Sequence, residues 1–200
     1  MKMKELHVIY VPGLRDQRFI NKLLIKIISL FWKAQGFKFH IISPRWEEGK
    51  SFLPKLKLIT DKIDELSGKT VYLIGQSAGG SAVLNAYSQR KSEIAGVVNS
   101  TGRLRKGENV RPSLDHAARF SPAFKESVLL FENTNESTLT SKDRKKIVTI
   151  KPLWDETVPS STVALKGATN ITVPVVEHGF GGFFIVTLYS PVLAKLLKSF

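Results

Sequence analysis

The sequence predicts a three-layer α/β/α fold with a mostly parallel sheet of about six strands, formed as one domain over residues 1–200. Short apolar runs rich in β-branched residues recur along the chain, and amphipathic patterns of helical spacing lie between them. The apolar runs are continuous rather than alternating, which is typical of strands buried on both faces. Such an alternation of strands and helices favours a parallel sheet with helices on both sides.

The six predicted strands share a short length and a high content of valine and isoleucine, which favours strands over buried helical segments. They are Leu6–Val11, Phe37–Ile42, Val71–Ile74, Ile94–Val98, Ile147–Ile150 and Ile171–Val176.

The first helix is predicted over residues 19–34, where apolar residues recur at i, i+3, i+4 and i+7 and three lysines occupy other positions. Asp16 is a candidate N-cap, and Gly36 is placed to end the helix. A basic amphipathic helix can also lie on a membrane surface. Its position between two buried strands favours a core helix.

Later helices are predicted from the same periodicity, at 56–66, 81–89, 122–132 and 191–198. Residues 101–121 are polar, basic and weakly periodic. Because long irregular segments in compact domains are often functional, we expect 101–121 to form a small cap or excursion that covers a site.

The chain has no cysteine, which excludes disulfides, thiolate metal sites and cysteine nucleophiles. Its formal net charge of +13 suits nucleic acid, an anionic membrane surface or an anionic substrate. The charges are spread along the chain, so we predict a lysine-rich surface and no nucleic-acid partner. Peripheral membrane contact stays open, and the oligomeric state is not predicted.

The N-terminal apolar run stops at Pro12, short of the roughly 7–15 apolar residues of a signal-peptide core. No stretch approaches the roughly 18 apolar residues of a membrane span. We therefore expect a cytoplasmic protein without a transmembrane segment.

The stretch VYLIGQSAGG places Ser77 between Gly75 and Gly79, at the end of one predicted strand and before a helical pattern. This is the context of a G-x-S-x-G nucleophile elbow, in which small flanking residues permit a tight turn. Gln76 and Ala78 complete the turn, and the Ala78 N–H at the helix start is a candidate oxyanion donor. A plain turn serine is the alternative.

A nucleophilic serine needs a base and an acid that orients the base. Asp155 and His178 each follow a later predicted strand, so all three residues lie at the carboxyl edge of a parallel sheet. Glu156 is the nearest rival to Asp155. The other histidines are less suitable: two lie within predicted strands, and the third precedes the acid, against the expected order of serine, acid and base (His7, His40 and His116).

With these segments the chain resembles the α/β-hydrolase fold family of serine hydrolases, through VIYVPGLRD, LIGQSAGG, WDETVP and EHGFGG. The resemblance spans most of the chain, with the family's usual first two strands missing. It implies a minimal fold and a carboxylesterase-like enzyme that cleaves esters or thioesters of small molecules without a cofactor. It also implies Leu14 N–H as the second oxyanion donor. Pro12-Gly13 stands where the family often has His-Gly.

Three further residues are possible substrate contacts: Arg15, Trp154 and Phe180. An exposed arginine and aromatic packing under loops are the alternatives. The basic residues of the excursion either bind an anionic substrate or keep a loop soluble (Arg103, Arg105, Lys106 and Arg111). No metal-site motif is present, and no Gly-rich nucleotide motif either.

Two other functions remain open on the sequence. One is a binding protein on a hydrolase scaffold that uses its basic surface for anionic partners. The other is an acyltransferase with the same acyl-enzyme. Since no large cap domain is present, an open site for short acyl chains is expected.

Overall fold

The computed structural model describes residues 5–49 and 51–200. The six strands are β1 Leu6–Val11, β2 Phe37–Ile41, β3 Thr70–Gln76, β4 Ile94–Ser100, β5 Ile147–Trp154 and β6 Thr169–Val176. They form one sheet in the order β2-β1-β3-β4-β5-β6, and every neighbouring pair is parallel. The predicted fold class is confirmed.

Helices cover both faces of the sheet. They are α1 Phe19–Ala34, α2 Leu53–Glu65, α3 Ala78–Gln89, α4 Leu114–Ala117, α5 Pro122–Leu130, α6 Ser141–Arg144, α7 His178–Val186 and α8 Ser190–Lys198. A π-helical turn follows α5 at Phe131–Asn135, and short 3₁₀ turns occur at Glu136–Thr138 and Ser160–Thr162.

The core is divided by the sheet into two apolar clusters. Alternate residues of β1 point to opposite faces, so Val8 and Tyr10 pack under α1, α7 and α8. Ile9 and Val11 pack under α2, α3 and α5. Trp32 joins two helices of the first face, because its buried indole donates a hydrogen bond to the carbonyl of Val186 at 2.9 Å.

Three strands continue beyond the apolar runs that predicted them, to Gln76, Ser100 and Trp154. The ladder keeps pairing the backbone after the apolar run has ended, as in the Gly75–Asn99 and Gln76–Ser100 register. Polar side chains therefore collect at the carboxyl edge of the sheet, where ligands bind in folds of this kind.

The prediction of Asp16 as the N-cap of α1 is wrong. Arg18 occupies that position without a side-chain cap, while the Asp16 carboxylate is buried. It accepts backbone N–H groups from Arg45 at 2.8 Å and Trp46 at 3.3 Å, and the Ser43 hydroxyl. The carboxylate thus ties two loops together.

Helix α7 was not predicted, since the sequence HGFGGFFIV contains three glycines, which disfavour helices. The helix forms because its glycines permit close packing on the sheet. A Cβ on Gly182 would lie 2.9 Å from Gln76 Nε2, and one on Gly181 would lie 3.1 Å from the Pro152 Cβ. Tertiary packing therefore overrides the local preference.

The basic residues of segment 101–121 have structural partners. Arg103 is 1% exposed, and its guanidinium donates to the carbonyls of Arg105 (3.0 Å), Pro112 (2.8 Å) and Lys106. Arg105 pairs with Glu136 at 2.7 Å. The structure thus gives both arginines structural partners, and the two functional readings of the basic segment stay predictions.

No single helix in the described part of the chain is long and apolar enough to cross a membrane. Helices α7 and α8 reach that length and apolarity only as a pair, and a bend of 53° separates them.

We expect Gly75→Ala to destabilise the protein by about 3 kcal/mol, because the new Cβ meets backbone that cannot move aside. An ideal Cβ at Gly75 would lie 2.2 Å from the carbonyl oxygen of Gly79. The control is Gly68→Ala, where φ is +76° but the space is open, with an expected cost of about 1 kcal/mol. Urea unfolding followed by circular dichroism measures both, and equal costs would contradict the packing argument.

Candidate active site

Ser77 lies at the turn between β3 and α3 with φ of 52° and ψ of −121°. A non-glycine residue at positive φ is strained and persists only where its surroundings enforce it. Here the Ser77 N–H donates to the carbonyl of Ser100 at 2.8 Å, and the Ser77 carbonyl accepts from Gly80 N–H at 2.9 Å. The turn therefore holds the serine side chain in one direction, above the sheet edge.

Close backbone contacts enforce this turn. A Cβ on Gly79 would lie 2.0 Å from the carbonyl oxygen of Val11, so α3 touches the end of β1 directly. Gly80 is equally restricted, since its Cβ would lie 1.9 Å from Asn99 Oδ1. The small residues of the elbow are thus required by the approach of helix to strands.

A chain of hydrogen bonds joins the three residues that the sequence predicts. Ser77 Oγ lies 2.9 Å from His178 Nε2, and His178 Nδ1 lies 2.8 Å from Asp155 Oδ2. A carboxylate beside Nδ1 favours the tautomer with its proton on that nitrogen, which leaves Nε2 free to accept the serine proton. This arrangement can activate a serine nucleophile.

Asp155, rather than its neighbour Glu156, contacts the imidazole. The Asp155 side chain is 2% exposed, and its second oxygen accepts backbone N–H groups from Thr157 at 2.9 Å and Val158 at 2.7 Å. Glu156 instead accepts the backbone N–H of His178 at 3.0 Å. Both acids therefore hold the histidine, one through its ring and the other through its backbone.

His178 lies at the first residue of α7, where the sequence predicts a loop. Glu177 precedes it with φ of 77°, and its carboxylate accepts the N–H groups of Phe180 and Gly179. These backbone donors lower the pKa of Glu177 below its ordinary value. The capped helix start sets where the imidazole points.

Two candidate oxyanion donors lie beside the serine, one in the loop after β1 and one at the start of α3. Gly13, Leu14 and Ala78 line the same cavity as Ser77. Within the described residues, neither the Leu14 N–H nor the Ala78 N–H has a hydrogen-bond partner. The amide of Ala78 is the first of α3 and is therefore unpaired by the helix itself. Two free donors can stabilise an oxyanion there.

Trp46 was not predicted as part of the site. Its buried indole donates to the carbonyl of Pro12 at 2.9 Å, one residue before Gly13. The backbone N–H of Trp46 donates to the carboxylate of Asp16, which lies a few residues after Gly13 in the chain. A lone tryptophan in a loop gives no sequence signal for this role, because its partner is a backbone atom distant in the chain.

A cavity of about 630 Å³ extends from Ser77. Its lining includes apolar residues of α1 and α7 (Leu24, Ile25, Ile28 and Phe183) and residues of segment 101–121 (Arg103, Pro112, His116, Ala117, Arg119 and Phe120). The sequence could not identify Leu24, Ile25 and Ile28 as cavity-lining residues, because cavity-lining and core residues of a helix recur with the same period.

The three possible substrate contacts fare differently. Arg15 lines the cavity, with φ of 63° directly after the Leu14 amide. Trp154 and Phe180 do not line it; they are 57% and 61% exposed, because β5 and α7 turn these side chains outward.

His116 lies at the cavity but outside the hydrogen-bonded chain. Gln76 accepts a hydrogen bond from the buried Tyr10 hydroxyl.

Across residues 5–49 and 51–200, no group of three or more His, Cys, Asp or Glu side chains is placed to hold a metal ion.

Comparison with solved structures shows that the chain has the α/β-hydrolase fold. A metagenome-derived lipolytic enzyme of the LipS and LipT pair is 12% identical, with a TM-score of 0.69 over 98% of this chain and 95% of that one. The monoacylglycerol lipase of Paleococcus ferrophilus is 17% identical, with a TM-score of 0.57 over 96% and 94%.

A thioesterase domain from the curacin biosynthetic pathway is 13% identical, with a TM-score of 0.61 over 98% of this chain and 91% of that domain. At these identities the likeness concerns the fold. No protein-family model and no curated protein sequence matches the chain.

We expect Gly13→Ala to slow modification of Ser77 by a fluorophosphonate at least ten-fold. The new Cβ would lie 2.8 Å from the Ser77 Cβ and 3.2 Å from its Oγ, so the side chain must leave His178. Intact-mass labelling against time measures the rate.

The matched control for Gly13→Ala is the same substitution in a Ser77→Gly background, which removes both atoms that clash. Its thermal destabilisation should fall by about 1 kcal/mol there. Unchanged labelling, or an equal cost in both backgrounds, would contradict the contact.

Proposed function

We propose that the protein is a serine hydrolase that cleaves carboxylic ester or thioester bonds of small molecules. The observation that carries this proposal is the hydrogen-bonded chain from Ser77 through His178 to Asp155, at the carboxyl edge of an α/β-hydrolase sheet. The ester-cleaving enzymes among the structural neighbours support it. Fold alone does not determine activity, so the proposal depends on the site.

In the proposed reaction, His178 Nε2 takes the proton of Ser77 Oγ as the oxygen attacks the acyl carbon. Asp155 holds the Nδ1–H and stabilises the imidazolium that forms. The carbonyl oxygen becomes negative between the N–H groups of Leu14 and Ala78. His178 then gives its proton to the departing alkoxide or thiolate, which leaves an acyl-enzyme on Ser77.

Water completes the proposed cycle. It loses a proton to His178 and attacks the acyl carbon, and the tetrahedral intermediate collapses to release a carboxylic acid. The proton returns to Ser77 Oγ. These residues complete the bond changes by themselves.

The volume and apolar lining of the cavity support an acyl chain of medium length rather than the short chain expected from the absence of a large cap. Leu24, Ile25 and Ile28 of α1 and Phe183 of α7 form an apolar part of the lining, which we call the apolar arm. An alkyl chain placed in this arm would leave water and gain about 0.8 kcal/mol for each buried methylene.

The direct test is intact-mass labelling with a fluorophosphonate on the wild type and on Ser77→Ala. One adduct on the wild type that is absent from the variant supports an activated serine at Ser77. A folded wild type without an adduct contradicts the proposal. Nucleic-acid binding against salt would then test the binding-protein alternative, because electrostatic binding weakens steeply with salt.

We expect Ser77→Ala and His178→Ala to lower kcat on a p-nitrophenyl ester by at least about 10³-fold, and Asp155→Asn by about 10³- to 10⁴-fold. Asp155→Asn should keep KM, since it changes the imidazole and leaves the acyl arm unchanged. The matched control is Glu156→Gln, which keeps the shape of a neighbouring acid that does not touch the ring. An equal loss in Glu156→Gln would contradict the assignment of the ring-orienting role to Asp155 alone.

We expect Leu24→Trp to lower kcat/KM for an octanoate ester about ten-fold or more and to change acetate turnover less than two-fold, because the indole fills the apolar arm. Steady-state kinetics on the p-nitrophenyl ester series measures both. Equal effects on the two substrates would mean that the acyl chain lies elsewhere.

A further inference from the structure

The two helical layers of the protein differ in charge. Helices α1, α7 and α8 contain five lysines and neither aspartate nor glutamate (Lys22, Lys26, Lys33, Lys195 and Lys198). On the opposite face, α2 and α5 contain four acids (Asp61, Asp64, Glu65 and Glu126). We call the first layer, with its connecting residues 187–189, the α1/α7/α8 face.

The same face exposes large apolar side chains. On α1, Phe19 is 83% exposed, Ile20 55%, Leu23 44% and Leu30 64%. The rest of the face adds Phe180, Leu188 and Val192, whereas the helices opposite expose only Leu53 and Leu58 of this class among the described residues. Exposed apolar groups gathered on one face indicate a contact surface, while scattered ones do not.

Helix α1 therefore has two apolar surfaces. Its inner surface packs on the sheet through Ile25, Ile28 and Trp32. At the α-helical turn angle, the exposed apolar residues span about 100° of the outer circumference, and the three lysines occupy the adjacent roughly 40°. This pairing of an apolar strip with a basic strip is typical of helices that lie in the surface of an anionic membrane.

The lysines of α1 are available to an external anion. None of Lys22, Lys26 and Lys33 takes part in an ion pair among the described residues, and all three lie on the outer side of the helix. Elsewhere many basic residues have acidic partners, such as Lys57 with Asp61 at 2.6 Å.

We propose that the α1/α7/α8 face docks on an anionic lipid bilayer. Charge favours this occupant, because the five lysines of these helices outnumber the one acid at their edge, the α7 cap Glu177, and so complement anionic headgroups. The exposed apolar side chains can enter the acyl boundary. Helices α1 and α7 also line the cavity through their inner sides, so a docked protein has the cavity directly behind the helices that contact the lipid. Delivery of lipid esters to Ser77 from that surface rests on the proposed function, whereas docking does not.

The test is co-sedimentation of the Ser77→Ala protein with phosphatidylcholine vesicles, with and without about 30 mol% phosphatidylglycerol. Binding is expected only with the anionic lipid. The substitutions K22Q, K26Q and K33Q together should weaken it roughly hundred-fold, at about five-fold per lysine. The substitutions K142Q, K145Q and K166Q change the charge equally at exposed positions outside the face and should weaken it far less.

The apolar contribution has its own matched pair. Leu23→Ser with Leu30→Ser should weaken binding at least ten-fold, and Leu53→Ser with Leu58→Ser on α2 should leave it unchanged. When the native Ser77 is present, both double variants should keep their turnover of a soluble ester. A failure of docking is thereby distinguished from a failure of the proposed hydrolase.

Three results would overturn the docking proposal. One is equal binding to neutral and anionic vesicles. Another is equal binding by the two double variants in which leucines are replaced by serine. The third is a dimer, detected by light scattering, that Leu23→Ser with Leu30→Ser disperses, because the face would then cover a second copy of the chain.

Discussion

Direct contact between the backbone of α3 and the ends of β1 and β4 is the constraint on which the site depends. Gly79 touches the carbonyl of Val11, and Gly80 touches the side chain of Asn99. With no Cβ between them, the helix begins close enough to the sheet to hold Ser77 at positive φ. The same contact brings the first amide of α3 to the loop after β1. The positions of the serine and of both candidate oxyanion donors thus depend on the same backbone contact.

A buried polar network stabilises the loop of Trp46, which in turn contacts the loop after β1. Lys55 is buried, and its ammonium donates to the carbonyls of Pro44 (2.9 Å), Arg45 (2.7 Å) and Glu48 (2.6 Å). Burial lowers the pKa of Lys55, and Asp16 opposes this shift. Because unsatisfied buried polar groups are costly, the loop that carries Trp46 has few alternative positions. Trp46 in turn holds Pro12, so the network reaches the site through backbone atoms.

The strands, α1 and the order of Ser77, Asp155 and His178 could be predicted, since they depend on local apolar periodicity and on the parallel sheet. Helix α7 could not, because its glycines are explained by contacts with Gln76 and Pro152 rather than by helix preference. The capping role given to Asp16 failed for a similar reason: its backbone partners lie about thirty residues away. Contacts distant in the chain leave no periodic signal.

The hydrogen-bonded chain of the site joins residues separated by up to 101 positions. During synthesis, Ser77 therefore leaves the ribosome long before β6 and α7 can present an imidazole to it. Domains fold as their segments become available, so a nascent chain or a chain cut before β6 would carry the serine without its base. Under the proposed function, such fragments would be chemically silent, and esterase activity would report completion of the whole sheet.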